Sequence, residues 1–310
     1  MAANQYAASG TLDQGSYPDL LNKSFDLVWL RRDQLAPTTL KPFFDVSQMG
    51  GGDDYKIAPV GSELPLVPVN GDRDQLAYFQ PPSGFDQTFT VETRRSGIRV
   101  TLEMLQKDRF AKIAGMMSGQ VKASMRTDEY SRAAILNAAF TGTAGADALS
   151  LCNNSHPCEE NIGGTWDNLG TGALTGANLQ ALRLVMDNIV NAQGDPMDIS
   201  AGTLVVHPNQ LQKALELTQS TKRAEDALNA VTVLIGGLNV EVSKYMNATQ
   251  YFLFGDLTGE EKGLHEVVQA DWSVINNSPV DGTVKMDKQI RSIKKFGFTT
   301  SRNIAGSTGS

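Results

Sequence analysis

The sequence predicts an α+β protein, and three features predict it. Residues 102–140 form a proline-free run with helical spacing, 177–254 alternate short strands with helices, and two extended runs close the chain. The 310 residues carry 27 Lys and Arg against 34 Asp and Glu, a net charge of −7, with 41% hydrophobic content. That suits about two globular domains, and it excludes a surface that coats nucleic acid throughout, which would need a broad basic excess. A local basic face is compatible with it. No stretch reaches the roughly 18 to 20 apolar residues of a membrane span, and residues 1–10 lack the basic and apolar regions of a secretory signal.

Residues 1–16 mix Ala, Gly, Ser, Gln and Asn without periodicity, and read as an arm that cannot bury enough apolar area to offset its chain entropy. Leu20, Leu21, Phe25, Val28 and Trp29 then recur at helical spacing, which predicts a helix ending before Pro37. Gly50, Gly51 and Gly52 open a stretch in which Pro59, Pro65, Pro68, Pro81 and Pro82 rule out a helix or a central strand. Between 45 and 86 seven acids face only Lys56 and Arg73, for a net charge of −5. This is an acidic flap. Residues 55–60 are its expected outgoing strand and 87–101 its return. The apolar parity changes from Phe89, Val91 and Thr93 to Ile98, Val100 and Leu102, which predicts a bulge near Gly97.

Phe110, Ile113, Met117, Val121 and Met125 step by three or four, followed by Ile135, and predict one long helix with Ser118-Gly119 as the place for a kink. Over 102–140 it would span roughly 58 Å, against a diameter of about 50 Å for a compact chain of this length. Either it breaks in two, or the subunit is elongated and exposes surface that something else covers. After a Gly- and Asn-rich stretch, Leu179, Leu182, Val185, Met186 and Ile189 predict a helix over 177–191. Strands are expected at 203–207, 231–235, 240–242 and 251–254, a helix at 208–219, and closing strands at 265–274 and 284–298.

Cys152, His156 and Cys158 form a C-x3-H-x-C pattern of zinc-compatible ligands, but a structural zinc needs a fourth ligand and only His207 and His265 remain as histidines. Three readings stay open: a zinc site, a Cys152–Cys158 disulfide, and a packed turn in which His156 hydrogen-bonds backbone. The enzymatic alternative is a hydrolase that uses these residues as nucleophile or zinc ligands, although no family signature surrounds them. Gly236-Gly237 lacks phosphate-loop spacing, so nucleotide chemistry has no foothold. Asp256, Glu260 and Glu261 read as a solvated turn. No catalytic residue and no cofactor is expected. Arg94, Arg95 and Arg99, and a run from Lys285 to Arg302 that carries six bases against Asp287, oppose the flap in sign. They form either a solvated strand face or one that meets a neighbour's flap or DNA.

An arm, a β-flap, a spine-length helix, an α/β module and a closing extended run occur here in the order seen in major capsid proteins of tailed bacteriophages, the Hong Kong 97-type fold. The resemblance covers nearly the whole chain. Leu204-Val205-Val206-His207-Pro208-Asn209 before a helix resembles the family's strand-Pro-helix segment. Gly237-Leu238-Asn239-Val240 and Tyr251-Phe252-Leu253-Phe254-Gly255-Asp256 are similar to two of its strands. Asp147-Ala148-Leu149-Ser150-Leu151, with Ser155-His156-Pro157, resembles the Mu-like head-subunit branch.

The resemblance implies an N-terminal arm and helix over 1–50, an extended β-hairpin loop over 51–101, and a peripheral domain with the spine helix over 102–175. An axial domain over 176–263 and, over 264–310, return strands of the peripheral domain with a C-terminal tail complete the division. It implies a non-enzymatic protein that self-assembles into hexamers and pentamers of an icosahedral head around double-stranded DNA, in the virion capsid and, during assembly, the host cytoplasm. The implied partners are copies of itself, a scaffold, a portal, decoration proteins and DNA contacted without sequence preference. An encapsulin-like compartment shell of the same fold is the alternative. The candidate inter-subunit residues are Asp72 and Asp74 at the flap tip, facing Arg94, Arg95, Arg99, Lys294 and Lys295. Covalently cross-linked members need a lysine near the flap tip; here 70–76 offers Arg73 and Lys56 lies near the base, so a non-covalent shell is expected.

Overall fold

The structure is a computed structural model that describes residues 38–57, 85–101, 110–142, 145–159, 162–191, 194–219, 237–255, 262–277, 285–299 and 302–310. The expected arm and first helix, the flap beyond Ile57 with Asp72 and Asp74, the strand at 231–235, and Asp256, Glu260 and Glu261 lie outside the described residues. The chain divides into two compact units. The first comprises Met1–Thr38, Thr93–Asp128 and Ala270–Ile293, and the second Thr39–Glu92, Glu129–Gln269 and Lys294–Ser310.

A short 3-10 turn, Lys41–Phe43, leads into β1 (Asp45–Gln48) and β2 (Asp54–Ile57). β2 pairs antiparallel with β3 (Gln87–Thr90), so the foot of the flap is the two-stranded hairpin that the sequence predicts. β4 (Glu92–Thr101) follows a break at Val91, whose N–H donates to the Asp53 carbonyl at 2.9 Å. β4 runs on through Gly97, where the sequence predicts a bulge. Gly97 lies within β4, and a Cβ there would meet the Gln289 side chain at 3.2 Å and the Lys288 carbonyl at 3.5 Å.

Helix α1 (Phe110–Asn137) runs uninterrupted through Ser118-Gly119. Its 28 residues extend about 42 Å. The Gly- and Asn-rich stretch beyond it, to which the sequence assigns no element, forms a hairpin of β5 (His156–Glu159) and β6 (Ile162–Trp166), then the short β7 (Leu169–Gly170). Helix α2 (Gly176–Asp187) starts where the Thr175 hydroxyl caps the Asn178 N–H, and buries Leu179, Leu182 and Met186 along one stripe. β8 (Ala201–Val206) ends at His207, whose ring accepts from the Asn209 N–H and caps a 3-10 turn that Pro208 opens; α3 (Leu211–Gln219) continues from it. The chain then forms β9 (Asn239–Val242), β10 (Tyr251–Gly255), β11 (Leu264–Asn277), β12 (Lys285–Phe298) and β13 (Ile304–Ser307).

The central sheet has the order β7-β13-β10-β8-β9 and belongs wholly to the second unit. Side chains alternate across it with period two. Leu204, Val206, Tyr251, Leu253 and Ala305 join a core formed with α2 and α3, while Val205, Phe252, Phe254 and Ile304 join another with Phe43, Leu136 and Phe298. Because both faces are covered, these strands read in the sequence as unbroken apolar runs. β13 and β7 come from outside 176–263, so the sheet gathers strands from three separated stretches of chain. A second sheet has the order β1-β11-β12-β4, and β1 joins it parallel to β11 with Asp45 opposite His265.

Candidate functional site: a charged clamp beside the flap hairpin

Among the described residues, a group of four heavily buried charges lies where the C-terminal turns of α1 meet β11 and β12. Glu129 and Arg132 lie three apart on α1, on neighbouring turns, and an ion pair at this spacing forms within a helix. The Arg132 Nη1 donates to Glu129 Oε2 at 3.1 Å and its Nη2 to Glu266 Oε2 at 2.6 Å. Lys294 Nζ donates to the other Glu266 oxygen at 3.0 Å, and the guanidinium lies 5.4 Å from the centroid of the Phe296 ring. All four ionic side chains are at most 6% exposed. Two cations and two carboxylates cancel, which is the condition for leaving them all in a low-dielectric interior. Burial alone would push the Glu266 carboxyl up; Arg132, followed by Lys294, outweighs it and holds the group below the ordinary glutamate value.

The second Glu129 oxygen accepts from the Leu40 N–H at 2.7 Å. Leu40, Phe43 and Phe44 are buried in the same core as Leu136 and Phe296, so the clamp fixes the segment that leads into β1 against the last turns of α1. A few residues on, Met49, Phe89 and Val267 form a small cluster with Tyr55, Ile57 and Val91, which roots the flap hairpin on β11. His265 stands beside it: Nε2 hydrogen-bonds Thr299 Oγ1 at 3.0 Å, Nδ1 lies 3.9 Å from Asp45 Oδ2, and the ring is 6.0 Å from Phe89. Burial lowers the His265 pKa, and the Asp45 carboxylate opposes the shift in part.

Cys152, His156 and Cys158 do not form one site. His156 Nδ1 is 2.5 Å from Asp147 Oδ2 and its ring stacks on Trp166, while Cys152 and Cys158 form no disulfide and lie in two different cores. The packed-turn reading is the one that matches, except that His156 takes a carboxylate where a backbone partner was expected. Burial pushes the Cys152 thiol far up, away from nucleophilic reactivity. Among the described residues no three His, Cys, Asp or Glu side chains are placed to hold a metal. The same region carries two polar hubs that the sequence did not reveal. Asn168 Nδ2 donates to the carbonyls of Leu151 and Ile304 and its Oδ1 accepts from the Asn153 N–H. Arg302 donates to the carbonyls of Val190 and Cys158 and lies over Trp166.

Of the basic candidates for an inter-subunit face, Arg94 is half-buried and Arg95 and Arg99 are exposed on β4. Lys294 is not on an accessible face: strand alternation turns it inward, and Glu266 neutralises it inside the subunit. Lys295 points the other way and pairs with Glu92 at the start of β4. At the foot of the flap, Lys56 pairs with Asp86 at 2.5 Å.

The buried ion pairs of the clamp join separate segments of one chain to each other. A family model described as phage capsid protein matches residues 85–307, and the chain belongs to that family. It is a structural capsid protein of the Hong Kong 97-type fold and not an enzyme. Among solved structures, the capsid of Ralstonia phage GP4 is similar over 86% of each chain, with 9% identity and a TM-score of 0.56. The capsid of cyanophage P-SCSP1u is similar over 87% of each chain, with 12% identity and a TM-score of 0.55. The virus-like particle from Pyrococcus furiosus matches over 92% of this chain and 98% of its own, with 10% identity and a TM-score of 0.53. A search of curated protein sequences finds no match.

Proposed function

We propose that this protein is the major subunit of a phage head, assembling with copies of itself into hexamers and pentamers of an icosahedral shell around double-stranded DNA. The observation that carries the reading is the capsid family match, which runs from the returning strand of the flap hairpin to the last strand of the central sheet. In this reading 1–50 form the arm and its helix, 51–101 the extended loop, 102–175 the peripheral domain, 176–263 the axial domain, and 264–310 the return strands and tail. The clamp anchors arm and loop at their roots, so that their outer parts gain order from neighbouring copies, and many interfaces per subunit offset the ordering entropy. Scaffold, portal and decoration proteins are the accessory partners, and assembly takes place in the host cytoplasm.

The likeness to the Pyrococcus furiosus particle supports a second reading, a compartment shell with no genome. Purifying particles from infected or expressing cells and treating them with nuclease separates the two. Nuclease-protected double-stranded DNA in head particles is the expected result. Shells that hold a cargo protein and no nucleic acid would select the second reading.

A further inference from the structure

The two compact units differ in the sign of their charge. Among the described residues the first unit carries nine Lys and Arg against three Asp, a net of +6. The second carries ten Lys and Arg against fifteen Asp and Glu, a net of −5. The exposed side chains keep these signs, with Asp271 an exposed acid of the first unit. Arg95 and Arg99 on β4 and Lys122 and Arg126 on α1 are exposed, whereas Asp128, the acid that α1 contributes to this unit, is buried and accepts from Trp272 Nε1 at 2.9 Å. On the outward side of α1, Lys122 and Arg126 lie one turn apart beside Gly115 and Gly119, where an added Cβ would meet nothing within 4 Å. That face is open, shallow and basic. On the second unit the exposed acids include Asp45, Asp53 and Asp54 near the flap foot, Asp187 at the end of α2, and Asp195 and Asp198 after it.

We infer that the basic unit of one copy docks on the acidic unit of another, an unlike-to-unlike contact between copies driven by this charge division. A chain of net charge −7 repels its own copies at long range, and contact between opposite units is the arrangement that turns the same charges into attraction. Two copies related by a two-fold axis through the α1 face would set Lys122 and Arg126 against themselves, so a self-complementary contact is disfavoured and a head-to-tail one favoured. Double-stranded DNA is the competing polyanion, but the acidic partner here is supplied by the chain itself, at the concentration of the assembling subunit.

The inference rests on the self-assembly reading above, and the test separates their failures. Purified full-length protein is followed by light scattering and electron microscopy in 0.1 M and 1 M NaCl, where the screening length falls from about 10 Å to about 3 Å. Wild type should assemble roughly tenfold more slowly at 1 M than at 0.1 M, the size of a modest steering effect. A variant carrying R95E, R99E, K122E and R126E should reverse that trend, assembling poorly at 0.1 M and recovering as salt rises. All four residues are exposed, so its circular dichroism and melting should follow wild type. If it does not fold, the neutral pair K122Q and R126Q and the wild-type salt series give the same reading. Wild-type assembly independent of salt would overturn the inference and leave self-assembly standing, as would a folded variant that assembles like wild type. Normal shells of the variant with weakened duplex binding would assign the face to DNA and likewise overturn it. No particles from wild type under any condition would defeat the underlying reading instead.

Discussion

Replacing Arg132 with methionine should cost the folded subunit about 3 to 5 kcal/mol, the range for removing one member of a buried ionic group. The structure explains why the cost is large. Arg132 alone touches both carboxylates of the clamp, at 3.1 and 2.6 Å, and its removal leaves Glu129 with no cation and Glu266 with Lys294 only. Methionine keeps most of the contact with Phe296, so packing loss adds little. At roughly 2 °C per kcal/mol for a chain of this size, the melting temperature of unassembled subunits should fall by about 6 to 10 °C. Calorimetry or urea titration on protein held below its assembly concentration measures it. Adding Glu266→Gln to the variant should cost less than the two single changes summed, because neutralising Glu266 also removes a charge that Arg132 no longer balances. A loss under about 1 kcal/mol for Arg132→Met, or strict additivity, would refute the view of these residues as one buried group.

Three further outcomes follow from the geometry. Gly306→Ala should destabilise by about 1 to 3 kcal/mol, since its Cβ would come within 2.7 Å of the Phe252 ring and 2.8 Å of Cys152 Sγ; urea unfolding with wild-type stability would show that the core has room. For His265 the folded state binds fewer protons than the unfolded one between its lowered pKa and the ordinary value of 6.5, so stability is full above that value and declines as pH falls through the window. The slope is at most about 1.4 kcal/mol per pH unit, and His265→Gln should flatten it in melts between pH 5 and 7.5; an unchanged slope would locate the titration elsewhere. Denaturing gels of particles should show a single monomer band, and covalent ladders would contradict the non-covalent shell.

The central strands β8 and β10 were legible because Leu204-Val205-Val206 and Tyr251-Phe252-Leu253-Phe254 are apolar on both faces, and a short run of that kind bounded by turns has few alternatives to a buried strand. α1 was legible from its spacing. β1 and β13 were not, since Asp45-Val46-Ser47-Gln48 and Ile304-Ala305-Gly306-Ser307 carry little strand character and form only by pairing with residues far along the chain. The clamp escaped for a related reason. On β12 the even-numbered Lys288, Ile290, Ser292, Lys294 and Phe296 are all buried, a face whose lysines read from sequence either as solvated or as meeting a neighbour's flap or DNA. Glu129 and Arg132 went unremarked in the sequence, and nothing local indicates that Glu266 closes the network across 134 residues.

The account stands on the claim that this polypeptide is a shell subunit, and electron microscopy of the purified full-length protein tests it most directly. Micrographs at assembly concentrations should show closed, uniform shells built from hexameric and pentameric clusters. A field of isolated monomers that stays so across salt, pH and protein concentration would contradict it.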